Sequence, residues 1–158
     1  MTLALCPGSF DPVTNGHLDI LERASAHFDQ VLVAVVANPS KNSLFSLTER
    51  QKILASVLSI YENCRVDSFE GLLVDYASRE NVDVIVKGLR AVTDFDYEIQ
   101  MAQMNCRLSG IDTCFFPARN EHSYLSASLV REIARYGGKV EGLVPPPVEE
   151  ALRMKFTG

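Results

Sequence analysis

An uninterrupted apolar and largely β-branched run, residues 31–36, constrains the fold of this chain more than any other feature. A strand with apolar side chains on both faces is typical of a parallel sheet that helices cover on each side. Four shorter segments predicted as strands follow at residues 3–6, 65–69, 82–86 and 113–116, and segments of helical length separate them. This alternation predicts a doubly wound, five-stranded parallel α/β sheet that is Rossmann-like.

Helices are predicted between the strands, several with their own start or stop signals. Ser46 and Glu49 form a capping-box pattern, Asp94 is placed to cap the longest helix, and Gly137 with Gly138 stops another. The first predicted helix contains the amphipathic run 18–28, the next ones cover residues 47–60, 72–79, 94–108 and 126–136, and a short one follows the prolines at 145–147.

The bulk properties narrow the class of protein. A length of 158 residues predicts a single domain, 1–158, with 47% hydrophobic and 22% charged residues. No signal peptide or membrane span is expected, and four scattered cysteines without a C-x-x-C pair indicate free thiols in the cytoplasm rather than a zinc site. A net charge of −5 argues against general nucleic-acid binding but leaves small anionic ligands open.

The loop after the first strand, residues 7–17, carries the strongest local signal of a binding site. Gly8 and Gly16 allow a ligand to approach the backbone, and Thr14 or Asn15 can cap the following helix. His17 lies in the first turn of that helix, where the unpaired N–H groups favour an anion. An ordinary strand–helix turn is the competing interpretation, but the whole stretch favours phosphate binding.

Cationic and hydroxyl side chains follow the other strands at the same predicted edge of the sheet. Lys41 follows the second strand, Lys87 and Arg90 the fourth, and a serine-rich loop the fifth. Ligands of doubly wound sheets bind at this carboxyl edge, so the arrangement predicts a polyphosphate site. A hydrolase triad through Ser126 lacks a G-x-S-x-G elbow, and the three histidines lack the spacing of a metal-ligand set.

Several blocks together resemble one known family. Residues 14–17, T-N-G-H, resemble the T/H-x-G-H signature of the nucleotidyltransferase superfamily, and the longer run 7–17 resembles the bacterial phosphopantetheine adenylyltransferases. Matching blocks follow along the chain: N-P-S-K at 38–41, G-L-L-V at 71–74, K-G-L-R at 87–90, D-F-D-Y-E at 94–98, Q-M-N at 103–105 and S-Y-L-S-A-S-L-V-R at 123–131. The resemblance implies a Rossmann-like nucleotidyltransferase fold. It also implies an enzyme that transfers AMP from ATP to 4′-phosphopantetheine by direct in-line attack, giving dephospho-coenzyme A and pyrophosphate.

The resemblance also implies roles for individual residues. His17 would be catalytic, as a donor to an α-phosphate oxygen of ATP. The other ATP-binding residues would be Ser9, Phe10, Gly88, Leu89, Arg90, Glu98, His122, Ser123, Tyr124, Leu125, Ser126, Ala127 and Ser128. The phosphopantetheine site would contain Ser9, Lys41, Leu73 and Lys87. Magnesium would bind the ATP phosphates with few protein ligands.

The sequence departs from the family pattern at two positions. Ala127 stands where the family usually has serine, which removes a hydroxyl but leaves the backbone N–H. His122 stands where the family more often has Trp or Tyr, so a smaller ring replaces an aromatic wall. The other blocks are retained, and the same function is expected.

Other functions fit the sequence less well. A nucleotidyltransferase for another substrate would not be expected to combine Lys41 with the K-G-L-R and D-F-x-Y-E blocks. An aminoacyl-tRNA synthetase needs a K-M-S-K-S-type loop, and a non-catalytic nucleotide-binding module would be expected to have lost His17 or Lys41. The family is a hexamer, so Met101, Met104 and neighbouring apolar residues of the long helix are expected at a subunit contact, with simple core packing as the alternative.

Lys41→Ala should weaken the binding of phosphopantetheine, because an ion pair with its phosphate would be lost. The affinity for ATP measured alone should hardly change. Isothermal titration calorimetry with each ligand checks this prediction, and loss of ATP affinity with phosphopantetheine affinity retained would reverse the assignment of the two subsites.

Overall fold

The computed structural model describes residues 1–37 and 42–157, with the backbone alone for Val92 and Thr93. Strands and helices alternate through these residues, as predicted. The strands are β1 (Leu3–Gly8), β2 (Gln30–Val36), β3 (Cys64–Phe69), β4 (Val84–Leu89) and β5 (Asp112–Pro117). The helices are α1 (Asn15–His27), α2 (Leu47–Val57), α3 (Leu73–Arg79), α4 (Val92–Ser109), α5 (Ala127–Arg135) and α6 (Pro146–Thr157), and a 3-10 turn covers Asn120–His122.

All pairings in the sheet are parallel, in the order β3-β2-β1-β4-β5. The strand order reverses between β1 and β4, which is where doubly wound sheets bind their ligands. The β1–β4 ladder ends at the pair Leu5 and Ile85, although both strands continue beyond it. Because β1 and β4 separate there, a crevice opens between their carboxyl ends.

Helices cover both faces of the sheet, so the doubly wound α/β prediction is confirmed. On one face, apolar residues of β1, β2 and β4 pack with α1, α2, α5 and α6, including the fully buried Leu54 and Val148. On the other face, Leu5, Leu32 and Ile85 pack with α3 around the buried Tyr76. The continuous apolar run in β2 is therefore buried on both sides, as its pattern predicted.

Two strands extend further than the sequence indicated. Pro7 and Gly8, predicted in the loop, lie in β1 because they continue the parallel register with β2 as far as Gly8 and Val35. Lys87 and Leu89, predicted in a loop after the fourth strand, lie in β4, whose pairing with β5 ends at Leu89 and Pro117. Polar and glycine residues are accommodated in these strands because their ends face the crevice rather than the core.

Two helix boundaries also differ from the predictions. Asp94 does not cap the long helix, because α4 begins two residues earlier, at Val92. The Asp94 carboxylate instead accepts hydrogen bonds from the backbone N–H and from Nε of Arg90. Helix α2 ends at Val57 rather than residue 60. The predicted capping box of Ser46 and Glu49 is present, and Gly137 adopts a positive φ of 74° just beyond the end of α5.

Helix α4 leaves an apolar stripe exposed in the single chain. Phe95, Tyr97, Met101, Met104 and Leu108 are 39–64% exposed, so the alternative that the methionines belong to the core of the single chain is wrong. Among the described residues, no helix is both long enough and apolar enough to cross a membrane.

Candidate active site

The crevice between β1 and β4 holds a cavity of about 230 Å³. Its walls come from the ends of both strands, the first loop, the start of α1, one side of α4 and the loop after β5. Of the residues predicted to form the site, eight line this cavity: Phe10, His17, Lys87, Gly88, Arg90, Glu98, His122 and Leu125. Segments that are far apart in the sequence therefore meet at one edge of the sheet, as predicted.

A capping box at the start of α1 orients His17. The Thr14 hydroxyl accepts from the backbone N–H of His17, and the Thr14 N–H donates to Nδ1 of the His17 ring at 3.0 Å. Because Nδ1 is the acceptor, the neutral ring carries its proton on Nε2. The Phe10 ring packs edge-on against the imidazole, with the centroids 5.3 Å apart. His17 therefore offers a fixed N–H donor to a ligand in the cavity.

The surroundings of His17 keep its ring neutral. Burial is the largest cause, and the positive charges of Arg90 and Lys87 add to it, so that the pKa of His17 falls to about 4. A neutral imidazole donates a hydrogen bond without changing its own charge. At neutral pH this donor is suited to stabilising charge on a ligand oxygen, and it is not suited to acting as a general acid.

Lys87 and Glu98 form an ion pair across the floor of the crevice, with Nζ and Oε1 3.5 Å apart. Both residues also line a second, smaller cavity of about 100 Å³ between α4 and the sheet. The residues that line this second cavity include Leu73, Tyr97, Met101 and Asn105. Lys87 thus lines both a cavity that contains His17 and Arg90 and a smaller, more strongly apolar one.

Arg90 connects the end of β4 to the approach to α5. Its Nη1 donates to the carbonyl of Leu125 at 3.0 Å, while Nε contacts the Asp94 carboxylate at 3.2 Å. Because Leu125 directly precedes Ser126, the N-cap of α5, Arg90 fixes the distance between the cavity and the start of that helix.

The remaining predicted residues lie outside the cavity lining. The Ser126 hydroxyl caps α5 by accepting from the Leu129 N–H, and the Ser128 hydroxyl contacts Arg131. Ser123 and Tyr124 are exposed in the turn before α5, and Ala127 is the first residue of that helix. Ser9 is exposed just after β1, whereas Leu89 ends β4, and Lys41 lies outside the described residues.

Several residues in or next to the site had no separate signal in the sequence. The Asp19 carboxylate, on α1, lies 3.0 Å from the guanidinium groups of both Arg23 and Arg119 and so ties the loop after β5 to α1. In the second cavity, Asn105 is buried and the hydroxyl of Thr113 has no hydrogen-bond partner among the described residues. Tertiary packing places these groups, and their spacing in the sequence does not reveal it.

Cys6 also lines the first cavity, at the end of the β1–β4 opening. Burial is the main cause that raises the pKa of its thiol to about 12, with the neighbouring Cys64 adding to it. The thiol is therefore protonated at neutral pH and contributes packing rather than nucleophilic chemistry.

Titration of the His17 ring by nitrogen-15 NMR tests the proposed tautomer. We expect a pKa near 4, with the proton on Nε2 throughout the range from about pH 5 to 8, because burial and two nearby cations disfavour the charged ring. Arg90→Ala should raise this pKa by removing one of those cations. A His17 pKa near its ordinary value of 6.5, or a proton on Nδ1, would contradict the geometry.

Comparison with known proteins identifies the family of this chain. Residues 5–133 match a family model described as Cytidylyltransferase-like. A phosphopantetheine adenylyltransferase from Streptomyces coelicolor is 57% identical over 96% of this chain and 96% of its own length. One from Thermobifida fusca is 53% identical over 99% of this chain and 95% of its own.

A solved structure shares the fold at low sequence identity. It is a putative nicotinate-nucleotide adenylyltransferase from Vibrio parahaemolyticus, with a TM-score of 0.70 and 19% identity over 98% of this chain and 93% of that one. This likeness concerns the fold alone, whereas the sequence matches extend over nearly the whole chain. This chain belongs to the phosphopantetheine adenylyltransferases, within the cytidylyltransferase-like family.

Proposed function

We propose that this chain transfers the adenylyl group of ATP to 4′-phosphopantetheine, giving dephospho-coenzyme A and pyrophosphate. The arrangement of Lys87 between two unlike cavities is the observation that carries the proposal. One cavity joins a neutral His17 donor to cationic side chains, as an ATP phosphate requires. The other is smaller and largely apolar, as the pantetheine arm requires.

In the chemical step, a phosphate oxygen of phosphopantetheine forms a bond to the α-phosphorus of ATP. The bond from that phosphorus to the bridging oxygen of the β-phosphate breaks, and its electron pair leaves with pyrophosphate. The attacking oxygen is already ionised, so no general base is needed. Catalysis then rests on positioning the two phosphates and on stabilising the charge that develops around the α-phosphorus.

His17 is the catalytic residue of this proposal. Its Nε2–H would donate to a non-bridging α-phosphate oxygen, and the Thr14 N–H would hold the ring in that orientation. Ser9 and Phe10 would bind phosphate from the first loop. Arg90 and the backbone from residue 122 to 128 would hold the β- and γ-phosphates at the start of α5, while Gly88, Leu89 and Glu98 would line the nucleotide side.

Lys87 and Lys41 would bind the phosphate of phosphopantetheine. Glu98 is the ion-pair partner of the Lys87 ammonium group. A phosphate bound there would offer Lys87 a second, more strongly charged partner. Leu73 would then contact the pantetheine arm in the second cavity.

Magnesium would accompany ATP. Among the described residues there is no cluster of three or more His, Cys, Asp or Glu side chains that could hold a metal ion. Asp94 and Glu98, the acidic side chains in the cavity lining, are each paired with a cation. These residues fit a metal ion held mainly by phosphate oxygens and water, which would neutralise charge on the ATP phosphates.

The four unpaired thiols support a cytoplasmic location.

Pyrophosphate release from ATP, with and without 4′-phosphopantetheine, tests the reaction. Turnover should require phosphopantetheine and should fall about 10²–10³-fold in His17→Ala, because one donor to the transition state is removed. His27→Ala, at the exposed end of the same helix, is the matched control and should keep wild-type turnover. Release that does not depend on phosphopantetheine would refute the proposed reaction. Turnover of His17→Ala within about threefold of wild type would refute the role of His17.

We further propose that the chain assembles as a hexamer, a dimer of trimers. The exposed stripe on α4 supports this proposal, because a contiguous run of large apolar side chains is costly to leave in water. The stripe also adjoins the second cavity, since Tyr97 and Met101 belong to both. Assembly through α4 would therefore shape the proposed pantetheine site.

Met104→Asp should split the oligomer while leaving the α/β circular dichroism spectrum intact, because a charge would be buried at the contact. Met154→Asp is the matched control, since Met154 is similarly exposed but lies on α6. Light scattering at micromolar concentration measures the mass. A wild-type mass near 17.5 kDa would refute the assembly while leaving the proposed chemistry unaffected.

A further inference from the structure

Arg50 is a buried charge that the proposed reaction does not use. It lies in the first turns of α2 and is only 5% exposed. Among the described residues, none of the ion pairs includes its guanidinium group. Its Nε also has no hydrogen-bond partner there. Burying a guanidinium group without a carboxylate partner costs free energy, so other interactions must stabilise Arg50 in this position.

The guanidinium joins the ends of two neighbouring strands. Its Nη1 donates to the carbonyl of Ser9 at 2.9 Å and to the carbonyl of Val36 at 3.1 Å. The β1–β2 ladder ends at Gly8 and Val35, one residue earlier in each strand. Arg50 therefore satisfies two carbonyls where the sheet no longer supplies partners, and it holds the two chains together at the edge of the crevice.

This contact restrains the first loop where it leaves β1. Ser9 stands between the last ladder pair and Phe10, which adopts a positive φ of 47°. Because the ladder holds Gly8 on one side and Arg50 holds the Ser9 carbonyl on the other, the Ser9 backbone is restrained, and so is the direction in which its side chain leaves the loop. A loop that is ordered before its ligand arrives loses less entropy on binding.

The helix that carries Arg50 is itself anchored to the first loop. The capping box of Ser46 and Glu49 fixes the first turn of α2. Just before it, the N–H groups of Leu44 and Phe45 donate to the buried carboxylate of Asp11, at 2.8 and 2.9 Å. Because Asp11 belongs to the same loop as Ser9, α2 and the loop form one connected unit.

We propose that Arg50 is a positioning residue for the ATP phosphates, acting through Ser9 and adding positive charge behind the first loop. This inference rests on the proposed binding of ATP and deepens it. Lysine at this position keeps the charge but lacks the planar, five-donor fork of arginine, so it cannot hold both carbonyls in the same way. The positioning role therefore predicts that Arg50→Lys binds ATP more weakly although the charge is retained.

Calorimetric titration with ATP, on single and double variants, tests the inference. Arg50→Lys should lower the affinity for ATP about tenfold, as expected for one weakened hydrogen bond from a charged group. In a Ser9→Ala background the same change should cost about twofold or less, because the hydroxyl that Arg50 positions is absent. Arg153→Lys, an exposed arginine on α6 paired with Glu150, is the matched control and should leave ATP affinity unchanged.

The outcomes separate this inference from the proposed function. A wild-type chain that does not bind ATP would overturn both. If the wild type binds ATP, an Arg50→Lys affinity within twofold of wild type would overturn the positioning role alone. So would an equal loss in both backgrounds, which indicates a structural effect independent of Ser9. If Arg50→Lys fails to give the native circular dichroism spectrum, Ser9→Ala alone decides, and unchanged ATP affinity in that variant refutes the inference.

Discussion

The hydrogen bond from the Thr14 N–H to Nδ1 of His17 is the interaction on which the proposed role of His17 depends. This contact belongs to the capping box between the first loop and α1, and it places the proton of the neutral ring on Nε2. The nearby cations Arg90 and Lys87, together with burial, then keep the ring uncharged. A neutral donor at this position stabilises negative charge without supplying or removing a proton, which matches a reaction between two phosphates.

The crevice around that donor opens because the two ladders of β1 end at different residues. β1 pairs with β2 as far as Gly8, but its ladder with β4 ends three residues earlier, at Leu5. The loop that leaves β1 is therefore supported on one side and open on the other. Two guanidinium groups complete the support, since Arg50 donates to the Ser9 carbonyl and Arg131 to the Asp11 carbonyl at 2.7 Å. These contacts fix the loop while leaving its open side to a ligand.

The charge of the site opposes the charge of the chain. The net charge is −5, yet the crevice contains Lys87 and Arg90, with Arg50 buried behind the first loop. Glu98 and Asp94 form ion pairs with these two lining cations. Paired acidic residues keep the cations in place and reduce the cost of holding like charges together.

The sequence predicted the layout of this protein because its signals are local. The apolar run of β2, the capping residues Ser46 and Thr14, and the glycine-rich first loop each depend on near neighbours in the chain. The order of strands and helices follows from them, and so does the edge of the sheet where His17, Lys87 and Arg90 meet. The matching blocks of sequence identified the family on the same residues.

Only the tertiary structure decided the features that depend on distant contacts. Lys87 lies in β4 rather than in a loop because β5 continues to pair beside it, and Asp94 pairs with Arg90 instead of capping α4. Arg50 carries no sequence signal of a role in the site, since its partners are the carbonyls of Ser9 and Val36. Backbone carbonyls are the same at every position of a sequence. Only the fold determines which of them lose their partners at the end of a ladder and which side chain then reaches them.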